Sequence, residues 1–405
     1  MAGKHNRRYF LAQAGLGVAG LALGGYQATA RGYAANEAIQ VGCIGTGGRC
    51  LQLMHWLQQL PGVKIVAVCD VWDTRLAQAR DLAGPDAWAT KDYTEILADD
   101  NIDAVIIGTP DHLHTPMTIA ACEAGKDVYV EKPLTHHREE GQAVIDAQNT
   151  YQRIVQVGMQ QRSMPHLIEA KAILDSGELG PIRKVHMTWN RNQERAEGSE
   201  NIDPATVDWA RFLGHAPEQP FDPYRFRNWR WFWDFGGGIF TDLMVHQIDI
   251  AQWFLDQEHP AHAASIGSFF TNEGVWETPD TVQSLLHYKE PETQFYFQGT
   301  FYNARYRAMM EYMGSEGTLY CDRGRYEVYP EPGSTLERSE MILGSGPRGL
   351  DFYDQPEAER LHLSNWLECI RSREKPNAPA EAGVQASDAA HLANKALREN
   401  IVAHW

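Results

Sequence analysis

The sequence predicts an α/β protein with an N-terminal, doubly wound parallel sheet and a C-terminal α/β domain built on half-covered antiparallel strands. Three observations predict it. A glycine turn, Gly45-Thr46-Gly47-Gly48, joins an apolar strand to an amphipathic helix. Short apolar runs then alternate with helical stretches to about residue 157, the mark of repeated βα units and so of a parallel sheet. Beyond that point several segments alternate apolar and polar residues, as strands with one covered face do. A chain of 405 residues has room for two or three domains. The expected boundaries are 1–35 for a leader and linker, 36–158 for the first domain and 159–405 for the second.

The first strand is Ile39–Ile44, and Leu51, Met54 and Leu57 recur at helical spacing after the turn. A second strand, Val63–Cys69, ends in Asp70. Strand, glycine turn, helix, strand and acid together point to a dinucleotide. Gly45, Thr46, Gly47, Gly48 and Arg49 would cradle a pyrophosphate at the helix N-terminus. Asp70 would bind an adenosine ribose, and its charge favours NAD over NADP. Cys50 stands where the third fingerprint glycine is expected, a position that governs helix–strand packing. Helices are expected at Thr74–Ala83, Tyr93–Ala98, Leu113–Ala124 and His136–Thr150, and strands at Asp103–Gly108, Asp127–Val130 and Ile154–Val157. Ligands of such sheets bind at the carboxyl ends of strands. Thr109-Pro110-Asp111 and Glu131-Lys132-Pro133 sit there. Thr109, Pro110, Glu131 and Lys132 are therefore cofactor-side candidates, with His112 and His114 shaping the turn.

The second domain opens with a helix, Glu169–Ser176, and a strand, Ile182–Trp189, with Asn190 at its end as a substrate-side candidate. A long irregular stretch, Arg191–Phe235, ends in Phe226-Arg227-Asn228-Trp229-Arg230-Trp231-Phe232-Trp233. It reads either as a wall over a sugar, with Arg227 and Trp231 contacting substrate, or as a loop packed on its own domain or on a neighbouring subunit. Gly236–Gly238 would let the chain approach the cofactor. On the helix Phe240–Leu255, Asp242 and His246 are four apart and share a face. Strands follow at Ala263–Phe270, Val282–Tyr288, Gln294–Tyr302 and Arg307–Met313, and helices at Glu357–Arg371 and Val384–Val402.

Composition narrows the partners. Hydrophobic residues are 43% and charged residues 22%, the balance of a soluble globular chain. A formal net charge of −17 argues against nucleic acid, whose phosphates need a basic surface. None of the six cysteines has metal-ligand spacing, and the Asp242/His246 pair lacks an evident third ligand, so no metal is expected. At the N-terminus, Arg7-Arg8-Tyr9-Phe10-Leu11 precedes the apolar run Ala12–Gly25 and a small-residue site, Ala28-Thr29-Ala30. This order reads as a twin-arginine signal, with the export machinery as a partner and a periplasmic or membrane-tethered location. A single membrane anchor is the rival reading, and the short, glycine-rich run argues against a stable span.

The set Ile44-Gly45-Thr46-Gly47-Gly48, Thr109-Pro110-Asp111-His112-Leu113-His114, Glu131-Lys132-Pro133, Gln160-Gln161-Arg162, Gly236-Gly237-Gly238, Asp242 and His246 resembles the glucose–fructose oxidoreductase and inositol dehydrogenase (Gfo/Idh/MocA) family. The resemblance implies a Rossmann domain followed by a large, open, mainly antiparallel sheet that serves as a homo-oligomer interface. It implies NAD(P)-dependent, metal-free oxidation or reduction of a sugar or cyclitol. Lys132, Asp242 and His246 match the family's catalytic set, with His246 as acid/base and Asp242 orienting it or binding a hydroxyl. Gln160 falls on the cofactor side, and Gln161 and Arg162 on the substrate side. Three functions remain open: a sugar oxidoreductase with tightly held NAD; an NAD-dependent glycoside-cleaving enzyme that oxidises, eliminates and re-reduces; and a sugar-binding protein without catalysis. The last requires a reason to keep all three residues.

Overall fold

A computed structural model describes residues 38–192, 198, 202–343 and 357–405; the expected leader, 1–35, lies outside them. The first sheet is laid down by β1 (Ile39–Ile44), α1 (Gly48–Leu57), β2 (Val63–Cys69), α2 (Asp73–Ala83), β3 (Trp88–Thr90), α3 (Tyr93–Ala98), β4 (Ala104–Ile107), α4 (His114–Glu123), β5 (Asp127–Val130), α5 (Gly141–Tyr151) and β6 (Val155–Val157). Its six strands are all parallel, in the order β3-β2-β1-β4-β5-β6. Strands β4, β5 and β6 are buried along their whole length, which is why they read as unbroken apolar runs. The order reverses between β1 and β4, and this switch point opens a crevice at the strand ends. Two expected helices start later than their apolar pattern. A 3-10 turn, Asp111–Leu113, precedes α4, and another, Arg138–Glu140, precedes α5.

The chain continues through α6 (Pro165–Asp175), β7 (Lys184–Asn190), α7 (Trp209–Leu213), α8 (Pro223–Arg227) and α9 (Val245–Leu255). Then come β8 (His262–Ser268), β9 (Thr281–Lys289), β10 (Glu292–Thr300), β11 (Ala308–Met313), β12 (Gly317–Asp322), β13 (Arg325–Pro330), β14 (Glu340–Ile342), α10 (Glu357–Ser372), α11 (Ala380–Glu399) and β15 (Val402–His404). These strands form one sheet, β14-β13-β12-β11-β7-β10-β9-β8-β15, antiparallel except where β7 pairs with β10. The sequence pattern did not announce β12–β15. Along β9, Val282, Ser284, Leu286 and Tyr288 point to the covered face, and Gln283, Leu285 and Lys289 to the open one. Both α9 and α11 pack together over the covered face.

Helix α11 also ties the two sheets together. Its glycine, Gly383, lies so close to the first sheet that a Cβ there would meet the Val157 side chain at 2.6 Å. The Ser387 hydroxyl accepts from the Leu134 amide (3.1 Å), just past Lys132. The alanine-rich sequence of α11 permits this approach, and it holds the end of β5 at a fixed distance from α9.

Candidate active site

The cavity at the switch point has a volume of about 670 Å³, within the range of small-molecule and cofactor sites. At one end lies the glycine turn. Gly45 has φ +72°, and a Cβ would meet the Thr109 amide nitrogen at 2.6 Å, so only glycine fits. Gly47 and Gly48 face open space, the cradle a pyrophosphate needs. Cys50, in place of the third glycine, packs against Gly108: a Cβ there would stand 2.9 Å from the Cys50 Cβ. The lost glycine is thus compensated by another across the contact. Replacing Gly45 with Ala is expected to cost stability and weaken dinucleotide binding at least tenfold, about 1.4 kcal/mol, by fluorescence titration with NADH. Binding unchanged would contradict this account of the turn.

Asp70 ends β2 at the cavity wall. Burial pushes its carboxyl up to about 6, against the pull of the Trp72 amide (2.9 Å) and the Thr46 hydroxyl (3.3 Å). Its carboxylate lines the cavity at the end of β2, where the sequence reading put a hydrogen-bond acceptor for a ribose. Thr46 therefore acts through Asp70 and lies behind the wall. Arg49 donates to Glu131 (2.8 Å) and to Glu359 of α10 (2.9 Å), joining the helix start to β5 and to the C-terminal helices. Gln160, with its amide turned to satisfy both neighbours, donates to the Gly158 carbonyl (2.6 Å) and accepts from Arg49 (3.2 Å). Thr109, Pro110, His114 and Glu131 also line the cavity. The ring nitrogens of His114 meet the carbonyls of Pro133 (2.7 Å) and Thr109 (2.9 Å), so this side chain spans the two strand-end turns.

At the other end Lys132, Asp242 and His246 line the same wall. Lys132 Nζ donates to the Asp242 carbonyl (2.9 Å) and to its Oδ1 (3.0 Å), and Arg230 Nε donates to the same Oδ1 (3.1 Å). A π turn, Phe240–Met244, begins the expected helix and carries Asp242 one turn before His246 on α9. Such turns recur at functional sites. His246 stacks on Trp189 (5.4 Å between ring centres, 26°), and its Nδ1 has no hydrogen-bond partner. The carboxylate of Asp242 therefore serves Lys132 rather than orienting His246 through Nδ1. Burial, then the charges of Lys132 and Arg323, pushes His246 well below its ordinary value. Both effects disfavour the imidazolium, so the ring rests neutral.

Several expected site residues lie elsewhere. Trp231 is fully buried and stacks on Trp276 (4.3 Å); its neighbours Trp229 and Arg230 face the cavity instead. Asn190 donates to the Arg305 carbonyl (2.6 Å) on the side of β7 away from Trp189. Arg162 pairs with buried Asp249 (2.8 Å), and Gln161 is buried beside it, outside the wall. His112 also lies behind the wall, where Nε2 meets the Phe212 carbonyl (3.0 Å). Gly236–Gly238 serve packing and not cofactor approach: Cβ atoms there would strike the Arg230 backbone, Thr241 and Thr278. Arg227 does reach the cavity, over the Trp72 ring (5.2 Å). The sequence reading missed Asp111, Arg191, Trp229, Arg230 and Arg323, all on the wall. Of these, Asp111, Arg191 and Arg230 carried a signal, adjacency to chosen residues: Pro110 and His112, Asn190, and Trp231.

The aromatic stretch is a strap across the first domain. Val207 bridges to Trp72, the Asp208 amide donates to the Val71 carbonyl (2.8 Å), and Arg211 pairs with Asp92 (2.9 Å). Trp209, Phe212, Phe226 and Phe235 pack together behind it. The strap contributes Arg211, Phe212, Gly214 and His215 to the cavity. The stretch thus lines the cavity, with Arg227 on the wall, and packs both on the first domain and, through the Trp231–Trp276 stack, on its own.

Fold and cavity together define a two-domain, nicotinamide-dinucleotide-dependent oxidoreductase. The family described as "Oxidoreductase family, NAD-binding Rossmann fold" matches residues 39–159, and its "GFO/IDH/MocA C-terminal domain" matches 167–320. The chain is 29% identical over 329 residues to scyllo-inositol 2-dehydrogenase (NAD(+)) of Bacillus subtilis, covering 78% of this chain and 81% of that protein. It is 23% identical over 370 residues to myo-inositol 2-dehydrogenase of Thermotoga maritima, covering 89% and 97%. Levoglucosan dehydrogenase in complex with NADH and levoglucosan shares the fold at TM-score 0.72 and 20% identity, over 91% of this chain and 99% of that one. The chain belongs to the Gfo/Idh/MocA oxidoreductase family and carries its NAD-binding Rossmann domain.

Proposed function

We propose that the protein transfers hydride between a hydroxyl-bearing carbon of a sugar or cyclitol and an NAD that it holds tightly. One observation carries this reading: Lys132, Asp242 and His246 converge in the cavity whose far end is formed by the glycine turn and Asp70. Gly45, Gly47 and Gly48 fit the pyrophosphate, and Asp70 the adenosine ribose. When bound, the nicotinamide accepts or returns a hydride. Lys132 Nζ, steered by Asp242, points a donor at the reacting oxygen and stabilises negative charge there. His246, neutral and stacked on Trp189, accepts a hydrogen bond from the hydroxyl. Trp229 offers a ring face to a sugar, and Arg191 and Arg227 offer donors to its hydroxyls.

The strap supports tight retention, since Val207 bridges to Trp72 and the Asp208 amide donates to the Val71 carbonyl across the cavity wall beside Asp70. Retention matches the proposed export through the twin-arginine route, which carries folded proteins to a compartment without an NAD pool. We also propose a homo-oligomer through the open sheet face, where Leu285 and Val402 flank Ala264 in register and stand exposed beside Ile266.

The test starts from the purified protein. NAD is expected in the supernatant after heat denaturation. With myo-inositol, scyllo-inositol and D-glucose, a keto product or NADH should accumulate. Release of aglycone from aryl glycosides without net NADH would instead select the oxidation–elimination reading. A protein that neither carries nor binds NAD would end both.

A further inference from the structure

Nine lysines and arginines and four carboxyls line the cavity, an excess of positive charge in a chain whose formal net charge is −17. Several of these cations are matched within the protein. Arg49 is held by Glu131 and Glu359, Lys91 by Asp73, and Arg211 by Asp92 and Asp208. Lys132 and Arg230 share the one carboxylate of Asp242. Two more gather at the substrate end, on the ring of Trp189. The guanidinium carbon of Arg323 is 4.5 Å from the ring centre and that of Arg191 is 5.8 Å. His246 stacks on the same ring. At this end Lys132, Arg191, Arg230 and Arg323 thus face two wall carboxyls, Asp111 and Asp242.

The chain brings the two arginines to Trp189 by separate routes. Trp189 points to the covered side of β7, and the Arg191 amide still donates to the Thr300 carbonyl (2.8 Å), so the pairing runs one residue past the strand's end. Residues two apart share a face, and Arg191 therefore emerges on the Trp189 side. Arg323 comes from the turn between β12 and β13, where the Asp322 carboxylate accepts from the Gly324 amide (2.8 Å). It is 6% exposed and lies on the cavity wall.

Like charges gathered in the wall of a cleft repel one another, and an anion among them turns that repulsion into attraction. The dinucleotide does not supply this anion, because its phosphates belong to the glycine turn at the other end of the cavity. A sugar hydroxyl does not require it, since uncharged amides and hydroxyls serve a hydroxyl as well. A planar guanidinium matches a carboxylate or a phosphate through two parallel hydrogen bonds.

Resting on the hydride-transfer reading, we propose that the substrate is an anionic sugar, whose carboxylate or phosphate is held by Arg191 and Arg323 while its reacting hydroxyl lies at Lys132 and His246. The Trp189 ring sets the spacing, because it carries both arginines and His246. Hydride and proton leave from the hydroxyl end alone, and the anionic group is bound without being changed.

Calorimetry on the NAD-loaded protein tests this without turnover. D-Glucuronate, D-galacturonate and D-mannuronate are each compared with the parent hexose, and the corresponding hexose phosphates form a second arm. At least one acid or phosphate is expected to bind about 10–100-fold more tightly than its neutral parent. The arm that binds more tightly identifies the group. Arg191→Gln keeps an amide donor and loses the charge, so it should remove most of that preference, and Arg191→Lys should keep part of it. Arg323→Gln repeats the test from the other side of the ring. The proposal is overturned if every acid and phosphate binds no more tightly than its parent hexose, or if the preference survives in both glutamine variants. An acid that binds through Arg191 yet yields neither NADH nor a keto product leaves this assignment standing and ends the hydride-transfer reading. Turnover of neutral sugars with no preference for acids or phosphates does the reverse.

Discussion

Replacing Lys132 with Ala is expected to cut kcat by about 10²–10⁴-fold while NAD stays bound, and replacing His246 with Ala is expected to do the same. The two losses have different physical origins. Lys132 supplies the donor at the reacting oxygen, and its removal leaves Asp242 with Arg230 as a described cation partner. A carboxylate freed of the lysine then faces the developing alkoxide, so the variant adds repulsion to the lost stabilisation. His246 supplies a neutral acceptor on the Trp189 face, and its removal leaves the hydroxyl free to rotate away from the transfer geometry. Neither side chain touches the glycine turn or Asp70, which hold the other end of the dinucleotide. NAD content after heat release, compared with kcat for each variant, separates the two effects. Full activity in both variants would remove the site assignment; loss of NAD together with activity would show that these residues hold the cofactor instead.

What could be read from the sequence was what depends on near neighbours. The glycine turn, Asp70 and the Glu131-Lys132-Pro133 turn were legible because strand, turn and helix follow one another within a few residues. The Asp242/His246 pair was legible because one helical turn separates them, although the π turn that begins the element was not. Asn190 was a parity error. Val185, Met187 and Trp189 alternate inward along β7, so Asn190 had to face the other way, and the period of two carried that information. Trp231 was a different failure. Within the 3-10 turn Trp229–Trp231 consecutive side chains diverge, and which ring goes inward is decided by Trp276, 45 residues later. Asp111 stood inside a quoted tripeptide, yet its place on the wall beside Arg230 and Asp242 comes from elements far along the chain. The edge strands β14 and β15 are three residues each and exist because a neighbour pairs with them.

Arg162 is expected to matter for stability and not for substrate. Its guanidinium pairs with Asp249, whose side chain is 1% exposed, through Nε (2.8 and 3.0 Å) and Nη2 (2.8 Å). This fork joins the 3-10 turn after β6 to the middle of α9, the helix that bears His246. Removing one member of a buried pair strands the other, at a cost of about 3–5 kcal/mol. Burial already pushes the Asp249 carboxyl up to about 6 with Arg162 in place. Without its partner Asp249 can take a proton, which holds the loss toward the lower figure at neutral pH. The deficit should grow as pH rises, because keeping Asp249 neutral becomes harder. Arg162→Ala is therefore expected to lower the thermal midpoint by several degrees at pH 7, and by more at pH 9, while KM measured well below the midpoint stays within about threefold of the parent. Adding Asp249→Asn should recover much of the lost stability, since the stranded charge is gone. A large rise in KM with an unchanged midpoint would return Arg162 to the substrate, where its place in Gln160-Gln161-Arg162 first put it.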